Sequence, residues 1–177
     1  MVIPAITEES LRSFPKVLLH DHLDGGLRPE TIIEIAQHTN YLHLPSYEAK
    51  ELEAWMLATA DQGKLELYLE AFTHTIAVMQ NEESLFRVAE ECVHDLNNDG
   101  VMYAEVRFAP ELFEEKGLTL DEVITAVLQG FEAGMCDDLN TPRATASLFG
   151  LVEARDALGS SESEDVPRRE RSLSRAA

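Results

Sequence analysis

FPKVLLHDHLDGGLR, residues Phe14 to Arg28, sets an apolar run against two histidines spaced two apart and closes on a pair of glycines. Side chains of a strand alternate between faces, so Leu18, His20 and His22 are expected on one side and Val17, Leu19 and Asp21 on the other. Two imidazoles thrown to the same side can converge on one metal ion. Zinc takes imidazole nitrogen at about 2.0 to 2.1 Å, and its catalytic sites use three protein ligands with one position open. The pair therefore supplies part of a site. A bare His-x-His also arises as a surface pair or a hydrogen-bonded core pair, so the flanking residues have to carry the rest.

After His22 the chain reads Leu23, Asp24, Gly25, Gly26, Leu27, then Arg28 and Pro29 leading into TIIEIAQH. Proline suits a first helical turn, where its missing N–H has no partner to lose, and Ile32, Ile35 and Ala36 then recur at helical spacing. Strand, turn and helix make a βα unit. Polar groups at the C-terminal end of such a strand read as the active-site edge of an α/β barrel.

The stretch FPKVLLHDHLDGGLRPETIIEIA resembles the opening of adenosine deaminases, within the amidohydrolase superfamily of metal-dependent (β/α)8 barrels. The likeness continues through YLEAFTHTIAVMQNEESLFRVAEECVHDLNNDGVMYAEVRFAPELF and DEVITAVLQGFEAG, about residues 14–134. It implies an α/β fold, the N-terminal portion of a TIM barrel. It also implies one zinc ion per complete site, with hydrolytic deamination of adenosine and 2′-deoxyadenosine to inosine and ammonia in purine salvage. His20 and His22 would be two zinc ligands, with His22 also against substrate, and Asp24 would bind the ribose hydroxyl. Leu65, Tyr68, Leu69 and Phe72 would form an apolar gate over the purine. Asp24 favours a nucleoside, since related adenine deaminases tend to carry Glu there; aminofutalosine deaminases stay open as relatives. The remaining ligands, the proton-shuttling glutamate and the histidine that orients the hydroxide belong to later strands, so no catalytic residue is assigned here.

A barrel of this type needs about 250 residues, with roughly 200 as a lower limit, and 177 residues fall short of it. The expectation is an incomplete barrel over residues 1–134, consisting of the first two βα units and extra helices. An unrelated helix over 135–158 and a disordered tail over 159–177 would follow. DDLNTPRATASLFGLVEARDAL is similar to a helical segment of cysteinyl-tRNA synthetases, with Thr141 as cap and Pro142 as first residue. It carries no catalytic motif of those ligases.

Other elements follow from periodicity. Leu65, Leu69, Phe72, Ile76 and Met79 form a stripe over Lys64 to Gln80, and Leu85, Val88, Ala89, Cys92 and Leu96 form another over Glu82 to Asn98. Asn97 to Gly100 should stop that helix. Val101 to Phe108 alternates as a strand, with Glu105 and Arg107 on one face and expected to pair. Asp121 to Gly134 is a further helix, and His38, His43, His74 and His94 read as surface or packing residues.

The net charge is −19, and 25 acidic against 8 basic residues lie before Met135. Phosphate backbones are held by clusters of Lys and Arg, so nucleic acid is not an expected partner, and Arg168, Arg169, Arg171 and Arg175 sit among acids and serines of the tail. No apolar run approaches the roughly 18 residues needed to span a bilayer. Cys92 and Cys136 lack CxxC spacing and suit a reducing compartment. Together these point to a cytoplasmic protein, and the resemblance implies a small purine nucleoside as its partner. A second reading is a non-catalytic half-barrel that self-associates or binds another chain through its incomplete sheet.

Overall fold

In a computed structural model the described residues are 6–138, except 62 and 64. The helix expected over Pro142 to Leu158 and the tail expected over 159–177 lie outside them. Among the described residues the elements run α1 (Glu8–Ser13), β1 (Lys16–His22), a 3-10 turn (Leu23–Gly25), α2 (Pro29–His38), α3 (Ala49–Ala60), α4 (Leu65–Val78), α5 (Glu82–Asn98), β2 (Val101–Arg107), a second 3-10 turn (Pro110–Phe113) and α6 (Leu120–Asp138). β1 and β2 pair in parallel, which requires the long helical crossover that α2 to α5 provide. The result is a two-stranded portion of an α/β barrel. No helix among the described residues is long and apolar enough to cross a membrane.

Local chemistry sets the helix ends. Asn81 caps α5 by accepting from the Ser84 N–H at 2.8 Å, with Glu82 and Glu83 in the first turn where the helix dipole favours them. Thr119 and Glu122 cap α6 reciprocally, and the bonds from Thr119 lower the Glu122 carboxyl below its ordinary pKa. Arg28, just ahead of Pro29, grips Asp95 near the end of α5 through two nitrogens, at 3.0 and 2.7 Å. That fork fixes the start of α2 against the far end of α5. Between the same helices, Arg87 reaches Glu34 at 2.7 Å, and within α5 it reaches Glu91 at 2.9 Å.

Ile32, Leu52, Met79, Leu85, Phe113 and Val123 are fully buried and form the centre of one apolar cluster. α5 and α6 press together because α6 carries glycine at the crossing. A Cβ at Gly130 would run into the Phe86 carbonyl and stand 2.8 Å from the Ala89 Cβ. Gly100, with φ of 73°, performs a different service between α5 and β2: a Cβ there would lie 2.5 Å from the Arg12 carbonyl, so only glycine lets the chain after α1 cross.

Several expectations are corrected. α1 has no counterpart in the sequence reading. α6 continues through the position expected to end it, Gly134, to Asp138. Glu105 and Arg107 form no ion pair; Glu105 instead accepts the Tyr103 hydroxyl at 2.9 Å, which raises the phenol's pKa. Strict alternation also fails in β1. The register pairs Leu18 with Ala104 and Asp21 with Val106, leaving one extra residue on β1 between them. That is a β-bulge, and His20 within it has a φ of 66°. Leu18 and Asp21 therefore come together, lining a cleft with Cys92 and Leu96 of α5, although alternation separates them.

Candidate active site

The bulge changes the reason the histidines meet but not the outcome. Past the extra residue, alternation resumes with Asp21 toward α5 and His22 toward the open face. His20 is turned to the same side by its left-handed backbone. The two rings stand 5.3 Å apart, centre to centre, tilted by 41°. Both are exposed.

Asp24 follows on the 3-10 turn and is 5% exposed. Its Oδ1 lies 3.7 Å from the His22 Nδ1, beyond hydrogen-bonding distance, and has no hydrogen-bond partner among the described residues. A buried carboxylate oxygen without a donor costs on the order of 1–3 kcal/mol or more, because desolvation goes uncompensated. Asp24 is thus poised for a donor that the described residues do not supply.

α4 covers this turn. Phe72 lies against Gly25, where a Cβ would come within 3.1 Å of the ring, and it meets His22 edge-on at 6.3 Å. Leu69, one turn earlier, is half exposed. Of the four expected gate residues, Phe72 is at the turn; the side chains of Leu65 and Tyr68 lie outside the described residues. Among the described residues no three His, Cys, Asp or Glu side chains gather as a metal-binding group. The histidine pair fits a divalent cation as two of its ligands, through two adjacent imidazoles on an open face.

The sequence match decides the family. The adenosine deaminase family model matches residues 15–150. The chain belongs to the adenosine deaminase family. A second model, the DALR domain, matches residues 130–171, the region that the cysteinyl-tRNA synthetase likeness covers. Adenosine deaminase of Mycobacterium ulcerans is 58% identical over 128 residues, covering 72% of this chain and 35% of that protein. The chain thus spans about a third of the length of the curated adenosine deaminases it matches. Solved structures share the fold. An amidohydrolase from Burkholderia ambifaria with bound Zn gives a TM-score of 0.60 at 23% identity, covering 76% of this chain and 36% of that one. The Arabidopsis ADAL complexed with IMP gives 0.59 at 24%, covering 73% and 37%.

Sequence reasoning missed the burial of Asp24, which only the packing of the turn beneath α4 produces. The glycine after it, a residue that lets a neighbouring ring approach, was the available signal.

Proposed function

We propose that this chain carries the first-strand part of a zinc-dependent adenosine deaminase site, acting on adenosine and 2′-deoxyadenosine in cytoplasmic purine salvage. The observation that carries the reading is the convergence of His20 and His22 beside the unpartnered, buried Asp24 oxygen, in a chain of this family. The zinc bound to a fold neighbour and the IMP bound to another support it.

His20 and His22 would hold the cation, and His22 also lies where it can touch substrate. Zinc, when bound, supplies activation of water near neutral pH. Asp24 would accept a hydrogen bond from a sugar hydroxyl, satisfying the orphan oxygen and fixing the nucleoside by its ribose. Phe72, with Leu65, Tyr68 and Leu69 on the same helix, would close over the base and keep water out. None of these side chains is a proton shuttle, and general acid–base help typically contributes about 10²–10⁴-fold. The described residues alone should therefore turn over negligibly.

Calorimetric titration with zinc, repeated on His20→Ala and His22→Ala, tests the pair: weak binding by the parent and none by either variant is expected. Equal heats from all three proteins would overturn the assignment. Added zinc and adenosine should give almost no inosine by absorbance, and robust turnover refutes the claim of incompleteness.

A second reading has its own observation. Val17, Leu19, Met102 and Tyr103 expose at least half their surface on or beside the sheet. An open apolar sheet of this kind invites a second copy of the chain. Light scattering after size-exclusion chromatography decides it, and a compact monomer at all concentrations removes it.

A further inference from the structure

His74 lies outside the site yet on the helix that covers it. It is half-buried on α4, and its Nδ1 stands 2.8 Å from the Tyr41 hydroxyl, in the segment between α2 and α3. Trp55 of α3 packs edge-on against the same imidazole at 5.4 Å. Tyr41 is fixed on its own side: its N–H donates to the Ala36 carbonyl at 2.8 Å and its carbonyl accepts the Tyr47 hydroxyl at 2.6 Å. Burial raises the pKa of the Tyr41 phenol, so it stays protonated and can donate. The other hydroxyls described on α4, Thr73 and Thr75, bond carbonyls of their own helix.

Residues two apart on a helix point to nearly opposite sides. While His74 faces Tyr41 and Trp55, Phe72 faces Gly25 and His22. α4 is thus held between an outer polar tie and the inner apolar contact that covers the turn. We propose that Tyr41, His74 and Trp55 form a proton-operated latch, with His74 as a positioning residue that seats α4, and through it Phe72, over the Asp24–Gly25 turn. The latch concerns the same gate as the functional reading and rests on it for its purpose.

The mechanism follows from imidazole chemistry. Neutral His74 with its proton on Nε2 offers Nδ1 as an acceptor to the phenol. Protonation makes that nitrogen a donor, so the Tyr41 O–H meets an N–H and must give up its bond or reverse it. The charges that bear on the ring are Glu70, one turn earlier on α4, which favours the cation, and His43, which opposes it. Burial is the larger influence and keeps His74 below the ordinary histidine pKa. In acid the imidazolium has an exposed carboxylate at i−4 to turn toward, away from Tyr41. α4 then loses its outer tie and Phe72 loosens from Gly25.

Trp55 is the chain's single tryptophan, so its fluorescence reports this cluster alone. Protonated imidazole quenches indole emission. Titration of the full chain from pH 8 to pH 5 should show quenching with a midpoint below that of a free histidine. The step should vanish in His74→Gln and move upward in pH in Tyr41→Phe, which removes the donor favouring neutral imidazole. Hydrogen exchange of α4 amides, referred to α5 in the same sample, should lose protection severalfold across that step. In His74→Gln the ratio should stay level. A titration unchanged in His74→Gln overturns the latch, as does quenching with no change in α4 protection. Far-UV circular dichroism confirms that each variant is folded, and Tyr41→Phe carries the test if His74→Gln is not. Neither readout uses zinc or purine, so failure of zinc binding sinks the proposed site and leaves the latch standing.

Discussion

The helical shell and the sheet face of this chain are built to different degrees of closure. In the shell, Phe113, Leu85 and Val123 are fully buried, and α5 meets α6 so closely that only glycine fits at position 130. On the sheet, Val17 and Leu19 are 64% and 60% exposed and the two histidines lie in the open. The difference separates what stabilises this chain from what gives it chemistry. Most of the buried apolar side chains lie on helices and turns, whereas the candidate ligands stand on the exposed face of the sheet.

The contrast can be broken most directly by truncating one side chain from each region. Phe113→Ala should cost about 3–5 kcal/mol in urea denaturation, through lost transfer energy and a cavity. Leu19→Ala should fall within about 0.5 kcal/mol of the parent, as exposed substitutions do. Equal costs would mean that the sheet face is packed after all.

Thiol chemistry sharpens the same division. Burial, with Asp21 and Asp95 nearby, pushes the Cys92 thiol up to about 12, while Cys136 is exposed. At pH 8 a disulfide reagent should modify Cys136 well ahead of Cys92, since only thiolate reacts and burial holds Cys92 as the thiol. One thiol per chain should react in the native protein and two after unfolding; two fast thiols would show that the cleft beside Asp21 opens freely.

Gly130→Ala probes the tightest part of the shell and should cost roughly 1–3 kcal/mol, as overpacking does. The same change at Gly117 tests backbone alone: its φ is 100° but nothing lies within 4 Å of an added Cβ. Thermal melts of the two variants separate steric from conformational cost, and an unchanged melt for Gly130→Ala would show that α6 can slide on α5.

The smallest effect is the pH dependence from His74. Its folded pKa is lowered, so the unfolded chain takes up the proton first as pH falls. Stability from this group is therefore full above the ordinary value of about 6.5 and declines as pH drops through it toward the folded value, below which the loss is constant. The ring is only half-buried, so solvent screening keeps the slope shallow. Denaturation midpoints of the parent and His74→Gln should diverge in that window and run parallel below it; parallel behaviour throughout would remove the group from the linkage.

Much of this was legible in the chain. The periodic stripes gave α5 its observed ends, Glu82 and Asn98, and located β2 to within a residue, because apolar spacing and capping residues act within a turn or two of themselves. The His-x-His pair and the glycine turn marked the candidate site for the same reason. The likeness to the deaminases named the family from those residues. His20 and His22 meet as expected, but through the bulge rather than through alternation, and Leu18 lines the α5 cleft with Asp21 instead of sharing the histidines' side.

The sequence by itself determined most of the elements, the family and the pair of imidazoles, since each depends on neighbours a few residues away. Only the tertiary structure decided the bulge at His20, the partner of Glu105, the burial of Asp24 beneath α4 and the meeting of Tyr41 with His74, 33 residues apart. Register and burial are set by what packs on an element from elsewhere in the chain, and no local pattern carries that information.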